Sequence, residues 1–170
     1  MAEQVTVRPM ADSDQSWAHA LIANHWGGMT MVSRGVLYDM RKFPGLVAWL
    51  DGERAGLLTY RIDGAVCEVM SLNSVVSGVG AGSALLRAVE DVARAAGCER
   101  VFLLTTNDNL HALRFYQRQG YRLADLRPGA IDEARRLKPS IPEIGMDGIP
   151  LRDELELERT LAQGGRLNRS

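Results

Sequence analysis

A glycine-rich segment, Ser77-Gly-Val-Gly-Ala-Gly-Ser83, is the part of the sequence with the clearest chemical potential. It stands between a predicted strand and a predicted helix, where glycines allow main-chain N–H groups to face an anion. The positive end of the helix dipole adds to this effect, so a pyrophosphate is the natural ligand. A Walker A loop is excluded because no Lys-Ser or Lys-Thr follows the glycines. A tight turn without a ligand remains the alternative at this point.

The cysteines and histidines give little support for other kinds of site. Cys67 and Cys98 have no CxxC spacing, and we expect both to be small buried apolar side chains rather than a disulfide or a catalytic thiol. His19, His25 and His111 share no HExxH or paired-cysteine context. We therefore predict no metal site.

The composition indicates one ordinary globular domain. The 170 residues are 46% apolar and 24% charged, with 20 basic against 21 acidic side chains, which excludes disordered, collagen-like and coiled-coil chains. The even charge predicts no nucleic-acid partner. The longest apolar run, Gly45–Leu50, is far below the roughly 18 residues of a membrane span, so we expect a cytoplasmic protein without membrane association. Residues 1–162 are predicted to form the domain and 163–170 a polar tail.

The first half of the chain has the pattern of an antiparallel meander. A strand at Val5–Val7 is followed by a helix that starts at the capping residues near Asp14 and runs toward Asn24. A short second helix is predicted over Val36–Lys42, ended by Pro44. Three strands joined by Asp-Gly turns then follow at 46–50, 56–62 and 66–72.

The second half alternates helices and strands. Helical spacing begins near Gly80 and ends at Gly97, and the continuous apolar run Val101–Leu104 is typical of a central strand buried on both faces. The remaining predictions are a helix from Asn107 or Asp108 to Gln119, a strand over 121–126, a short helix over 131–138 and a last strand at 155–157. The chain is therefore predicted to be α+β, with helices on a mixed sheet. A dinucleotide-binding fold fits poorly, because three antiparallel strands precede the glycines.

Two motifs together resemble the signatures of the GNAT superfamily of N-acyltransferases. The family's pyrophosphate loop, Gln/Arg-x-x-Gly-x-Gly/Ala, falls on Ser77–Gly82. Its second signature, Asn-x-x-Ala-x-x-(apolar)-Tyr-x-x-x-Gly-(Phe/Tyr), falls on residues 109–121. The resemblance covers residues 64–127, but Ser77 replaces the usual long Gln or Arg, so backbone amides must carry more of the anion binding. Trp26-Gly-Gly and Val32-Ser-Arg-Gly35 further resemble an uncharacterised bacterial branch, which implies no particular substrate.

The resemblance implies a fold, a co-substrate and a set of contacts. The fold is a mixed, mostly antiparallel sheet of about six or seven strands flanked by helices, and the co-substrate is acetyl-CoA, with no metal. The strand before the glycines would separate from its neighbour and pair with the pantetheine arm. The residues implied in coenzyme binding are Leu72, Asn73, Ser74, Ser77, Gly78, Val79, Gly80, Ala81, Gly82, Ser83, Asn109, Ala112 and Tyr116.

The resemblance also assigns two catalytic roles. Tyr116 matches the tyrosine beside the coenzyme sulfur, where a phenol can protonate the departing thiolate. Glu68 stands where some members place the general base, which an alkylammonium with a pKa near 10.4 requires at neutral pH. Alternatives remain open for each, because Glu68 could be an ordinary strand glutamate in an ion pair and Tyr116 a core residue. Asn109 could equally cap a helix.

The acceptor side is the least determined by the sequence. Trp26, Arg34, Tyr38 and Glu154 are the residues that the resemblance suggests for it, and acidic groups there would suit a cationic amine. We expect an N-acetyltransferase that moves an acetyl group directly to a primary amine of a small molecule or peptide, as a monomer or homodimer. A non-catalytic acyl-CoA sensor or interaction module is the alternative.

Overall fold

The structure, a computed structural model, describes residues 4–162. Thirteen helices and strands follow one another within this range, with 3-10 turns at Asp12–Asp14, Met40–Lys42 and Met146–Gly148. In chain order they are β1 (Thr6–Pro9), α1 (Gln15–Trp26), β2 (Thr30–Ser33), β3 (Val36–Asp39), β4 (Gly45–Leu50), β5 (Glu53–Asp63), β6 (Val66–Ser74), α2 (Ala81–Ala95), β7 (Arg100–Thr106), α3 (Leu110–Arg118), β8 (Arg122–Arg127), α4 (Ala130–Leu137) and β9 (Glu154–Thr160).

Seven of the strands form a single sheet in the order β1-β4-β5-β6-β7-β9-β8. Within residues 4–162 every pairing in this sheet is antiparallel except that of β6 with β7, which α2 connects as a crossover. The predicted α+β class, with a mostly antiparallel sheet of six to seven strands flanked by helices, is confirmed. The last strand, β9, lies between β7 and β8 and so completes the sheet from its interior.

The core lies in two layers, one on each face of the sheet. The amphipathic helix α2 buries Leu85, Leu86 and Val89 against the face that carries Val101 and Leu103, as its helical spacing predicts. The opposite face packs against α1 through a second apolar cluster, formed by Ala18, Ile22, Met40, Val47, Leu57 and Met70. Cys67 and Cys98 are buried free thiols, as expected. No helix within residues 4–162 is long and apolar enough to cross a membrane.

The helix predicted over Val36–Lys42 is wrong. The chain instead forms a hairpin of β2 and β3, followed by the short 3-10 turn Met40–Lys42. The turn residues Arg34 and Gly35 both have positive φ, +48° and +76°, which matches the right-handed twist of a tight hairpin. The tail from Gln163, predicted to be polar, lies outside the described residues.

Candidate active site

Strands β6 and β7 separate in the middle of the sheet. Their parallel pairing runs from Val66 opposite Arg100 to Val69 opposite Leu103 and ends there. Immediately beyond it, β6 carries a bulge against β5, because Tyr60 pairs with Val69 whereas Thr59 pairs with Ser71. Residues 70–74 of β6 then continue without a partner strand on the β7 side in the part of the chain that is described. Their main-chain edge, which includes Leu72, Asn73 and Ser74, can therefore pair with an extended ligand.

The glycine loop places the N-terminus of α2 close to this gap. Gly78 and Gly80 have positive φ, +76° and +81°, which orients the backbone ahead of the helix. Gly80 is the N-cap and has no side chain to occupy the first helical N–H groups. At Gly82 an added Cβ would lie 3.0 Å from Phe115 Cζ and 3.5 Å from Ser74 Oγ. The first turn of α2 thus lies against both α3 and the end of β6.

Helix α3 carries Asn109 and Tyr116 of the second motif. The side chain of Asn109 caps the helix, since its Oδ1 accepts a hydrogen bond from the Ala112 N–H at 3.0 Å. The Tyr116 ring packs edge-on against Phe115 and Tyr121, with centroid distances of 5.2 and 6.0 Å. Burial raises the pKa of Tyr116. Its phenol therefore stays protonated at neutral pH and is a weaker acid than a tyrosine in water.

A cavity of about 710 Å³ opens on the α1 side of the sheet beside the gap between β6 and β7. Its wall includes Glu68 and Met70 of β6, Thr105 of β7 and Asn109. Glu68 is almost fully buried, and both of its carboxylate oxygens are engaged. Ser33 Oγ donates to Oε2 at 2.6 Å, and Arg61 Nε donates to Oε1 at 3.2 Å.

The loop between α4 and β9 forms another wall of the cavity and is fastened to the end of β7. Asp108 is buried and accepts hydrogen bonds from the Met146 N–H, at 2.9 Å, and from the Thr106 hydroxyl. Gly145 lies directly against this carboxylate, because an added Cβ would be 2.0 Å from Asp108 Oδ2. Asp108 thus holds this loop at Met146, and Asn107 holds it at Pro150, where its Nδ2 donates to the carbonyl at 2.8 Å.

Two glutamates of β9 lie beside arginines, and one of them lines the cavity. Glu154 lines the cavity and accepts from Arg127 Nη1 at 2.9 Å. Burial raises its pKa, the nearby charge of Glu68 adds to this, and Arg127 opposes it. Glu156 accepts from Arg34 and Arg127. These bonds outweigh the effect of burial and hold its pKa below the ordinary value.

Comparison with known proteins decides the family. The sequence model of the Acetyltransferase (GNAT) family matches residues 18–121. The chain belongs to the GNAT family. It is 43% identical over 140 residues to the uncharacterised protein YdhI of Bacillus subtilis (strain 168), a match that covers 82% of this chain and 88% of YdhI.

Solved structures share the GNAT fold. The IAA acetyltransferase from Bacillus cereus ATCC 14579 superposes with a TM-score of 0.71 at 21% identity, over 93% of this chain and 100% of that one. A Bacillus subtilis acetyltransferase in complex with CoA gives a TM-score of 0.67 at 17% identity, over 94% of this chain and 99% of that one. At these identities the comparison establishes the fold alone.

Four of the predicted GNAT site residues line the large cavity, whereas Tyr116 and the residues of the glycine loop do not. Trp26, Glu68, Asn109 and Glu154 all line the large cavity. Arg34 instead lines a smaller one of about 370 Å³, where its guanidinium stacks on Phe102 at 4.4 Å. Tyr38 lines neither cavity. Its ring lies under the guanidinium of Arg61, 5.0 Å from the ring centroid, and 5.7 Å from the Phe43 ring.

Sequence reasoning missed three contributors to this site. Ser33, which bonds Glu68, belongs to the hairpin that the pattern misassigned as part of a loop and helix. Asp108 and Gly145 meet only in the folded chain. The sequence signal for Asp108 is its place in Asn-Asp-Asn at 107–109, a pattern that also suits helix capping.

Proposed function

We propose that this GNAT protein transfers an acetyl group from acetyl-CoA directly to a primary amine, within a ternary complex. The observation that carries the proposal is the place of Glu68. This buried carboxylate lines the large cavity and precedes Val69, the residue at which β6 and β7 separate. A cavity for an amine and an edge for a thioester arm thus meet beside a single carboxylate.

Coenzyme binding would use the free edge of β6 and the start of α2. Main-chain groups of residues 72–74 would pair with the pantetheine arm, and the N–H groups of residues 78–83 would hold the pyrophosphate. Acetyl-CoA supplies the thioester-linked acetyl group when bound. Because Ser77 has a short side chain, the backbone and the α2 dipole carry the anion here.

The chain's own residues would then move two protons. Glu68 receives the ammonium proton of the acceptor, directly or through a water, so that the free amine attacks the carbonyl carbon. Main-chain N–H groups at the end of β6 stabilise the charge on the carbonyl oxygen. As the C–N bond forms and the C–S bond breaks, the Tyr116 phenol protonates the thiolate, and the second proton that leaves the nitrogen returns the phenol to its neutral form.

The cysteines support direct transfer rather than an acyl-enzyme. Burial raises the pKa of Cys67 to about 12, with smaller contributions from Cys98 and Glu68, and burial also raises the pKa of Cys98. Since the thiolate is the nucleophile, neither side chain is activated at neutral pH.

The experiment is acetyl-CoA-dependent thiol release by the purified protein across a panel of amines, with hydrolysis alone as the blank. We expect release above the blank with at least one amine class. One observation favours the sensor alternative, because both oxygens of Glu68 already accept hydrogen bonds. CoA binding without release on any amine would support that alternative, and absence of CoA binding would refute both functions.

A further inference from the structure

We propose that the acceptor of this site is a monoamine with a single apolar body, rather than a polyamine or another polycation. This assignment rests on the proposed function and concerns the large cavity beside Glu68.

The outer part of the cavity is apolar although it faces solvent. Trp26, Ile144 and Met146 line it with 39%, 57% and 53% of their surface exposed. Ile131 and Leu151 extend the same apolar wall inward and are buried. Large exposed apolar side chains around a concave site mark a binding surface for an apolar group. An acceptor that enters here therefore covers its body with hydrocarbon contacts.

The carboxylates of the cavity are few and already have partners. Arg61 and Ser33 engage Glu68, Arg127 engages Glu154, and the Met146 N–H engages Asp108. Glu68 and Glu154 are close enough for the charge of one to raise the pKa of the other, so their end of the cavity favours one incoming ammonium.

The mouth of the cavity carries a lysine, and burial lowers its pKa below the ordinary value. Lys138 lines the cavity, and its Nζ donates to the Trp26 carbonyl at 2.9 Å and to the Thr30 carbonyl at 2.7 Å. A second ammonium on the acceptor would lie near this cation and against apolar side chains, where burying an unpaired charge is costly. The same cavity thus accepts one amine and disfavours a second.

The test compares acceptors that differ in a single terminal group. Acetyl-CoA-dependent thiol release is measured with n-butylamine, n-hexylamine and 1,6-diaminohexane. We expect kcat/KM to rise about threefold to fourfold for each methylene from butyl to hexyl, the increment of a buried CH₂. We expect kcat/KM for n-hexylamine to exceed that for 1,6-diaminohexane by at least about tenfold, the factor that corresponds to 1.4 kcal/mol.

A matched pair of variants locates the selectivity. Met146→Glu places a carboxylate at the mouth of the cavity. It should lower the ratio of kcat/KM for n-hexylamine to kcat/KM for 1,6-diaminohexane by about tenfold. Leu123→Glu introduces the same charge at a residue of similar exposure, 54%, on β8 outside the cavity, and should leave the ratio unchanged. Native preference for the diamine, for spermidine or for an aminoglycoside would overturn the assignment, as would equal shifts in both variants. If none of the amines tested causes thiol release above the blank, the proposed function is overturned, and the assignment with it.

Discussion

The contact between Gly145 and Asp108 makes Gly145→Ala an informative perturbation. Gly145 has φ −97°, outside the left-handed region that favours glycine. What excludes a side chain is Asp108, since an added Cβ would lie 2.0 Å from Oδ2 and 2.6 Å from Cγ. An ordinary contact begins near 3.4 Å, so the carboxylate must move by about 1.4 Å.

That movement would break the bonds that Asp108 makes with the Met146 N–H and the Thr106 hydroxyl. Hydrogen bonds to a charged group contribute about 1.5 to 3 kcal/mol each, so the two together predict a loss of roughly 3 to 6 kcal/mol in the free energy of unfolding. For a domain of this size, each kcal/mol lowers the melting temperature by about 2 to 4 °C. Gly145→Ala should therefore melt roughly 6 to 24 °C below the native protein.

Thermal unfolding and acceptor kinetics check this prediction together. Gly148→Ala is the matched control, because Gly148 has φ +71° but nothing within 4 Å of an added Cβ, so its cost should be about 1 to 2 kcal/mol. KM for the acceptor should rise in Gly145→Ala while the Kd of CoA stays constant. Asp108→Gly removes every clashing atom, and in that background Gly145→Ala should be nearly neutral. Native-like melting of the single variant, or an equal loss in both backgrounds, would refute the steric explanation.

Three further predictions concern single side chains. Tyr116→Phe should lower kcat by about 10²-fold or more and leave the Kd of CoA unchanged. Stopped-flow measurement of turnover, together with calorimetric measurement of CoA binding, checks this prediction. Unchanged turnover would remove Tyr116 as the acid. Glu68→Gln should lower kcat at neutral pH and leave a rate that rises with pH only as the amine itself loses its proton, whereas an unaltered pH–rate profile removes Glu68 as the base. Glu156→Gln should lower the free energy of unfolding at pH 7 by about 2 to 3 kcal/mol. This is somewhat less than the loss of one partner of a buried ion pair usually costs, because Arg100 still pairs with Glu158 and Arg127 with Glu154. Since the folded pKa of Glu156 is lowered, its contribution is full above the ordinary value of 4.5 and is lost as the pH falls through the folded pKa. Urea unfolding at pH 7, 5 and 4 would show the difference begin to shrink only at the lowest pH, and a constant difference would contradict the linkage.

The glycine loop, α2 and the cap at Asn109 were predictable because their signals are local. Helical spacing and capping residues act over one or two turns, and the glycines mark the turn itself. The resemblance to the GNAT signatures depends on these same local positions. The structure accordingly places Asn109 at the start of α3 and Gly80 at the start of α2.

The β2–β3 hairpin and the outer cavity were not predictable in this way. Residues 36–42 contain apolar side chains at a spacing that also suits a helix, and only packing against the sheet selects the hairpin. Ser33 meets Glu68, and Gly145 meets Asp108, across long stretches of chain. Such contacts leave no periodic trace in a sequence, although they determine how the carboxylates of the cavity are held.

The position of β9 between β7 and β8 has a consequence for the newly made chain. Both of its neighbours precede it in the sequence, so β7 lacks its antiparallel partner, and β8 lacks its sheet, until residues 154–160 have been synthesised. At about 5 to 20 residues per second, the interval from the end of β8 to the end of β9 lasts roughly 2 to 7 seconds. During that time the edge of a hydrophobic central strand is open to other chains. Slower translation should therefore lengthen the aggregation-prone period, and nascent-chain crosslinking before and after residue 160 would measure it.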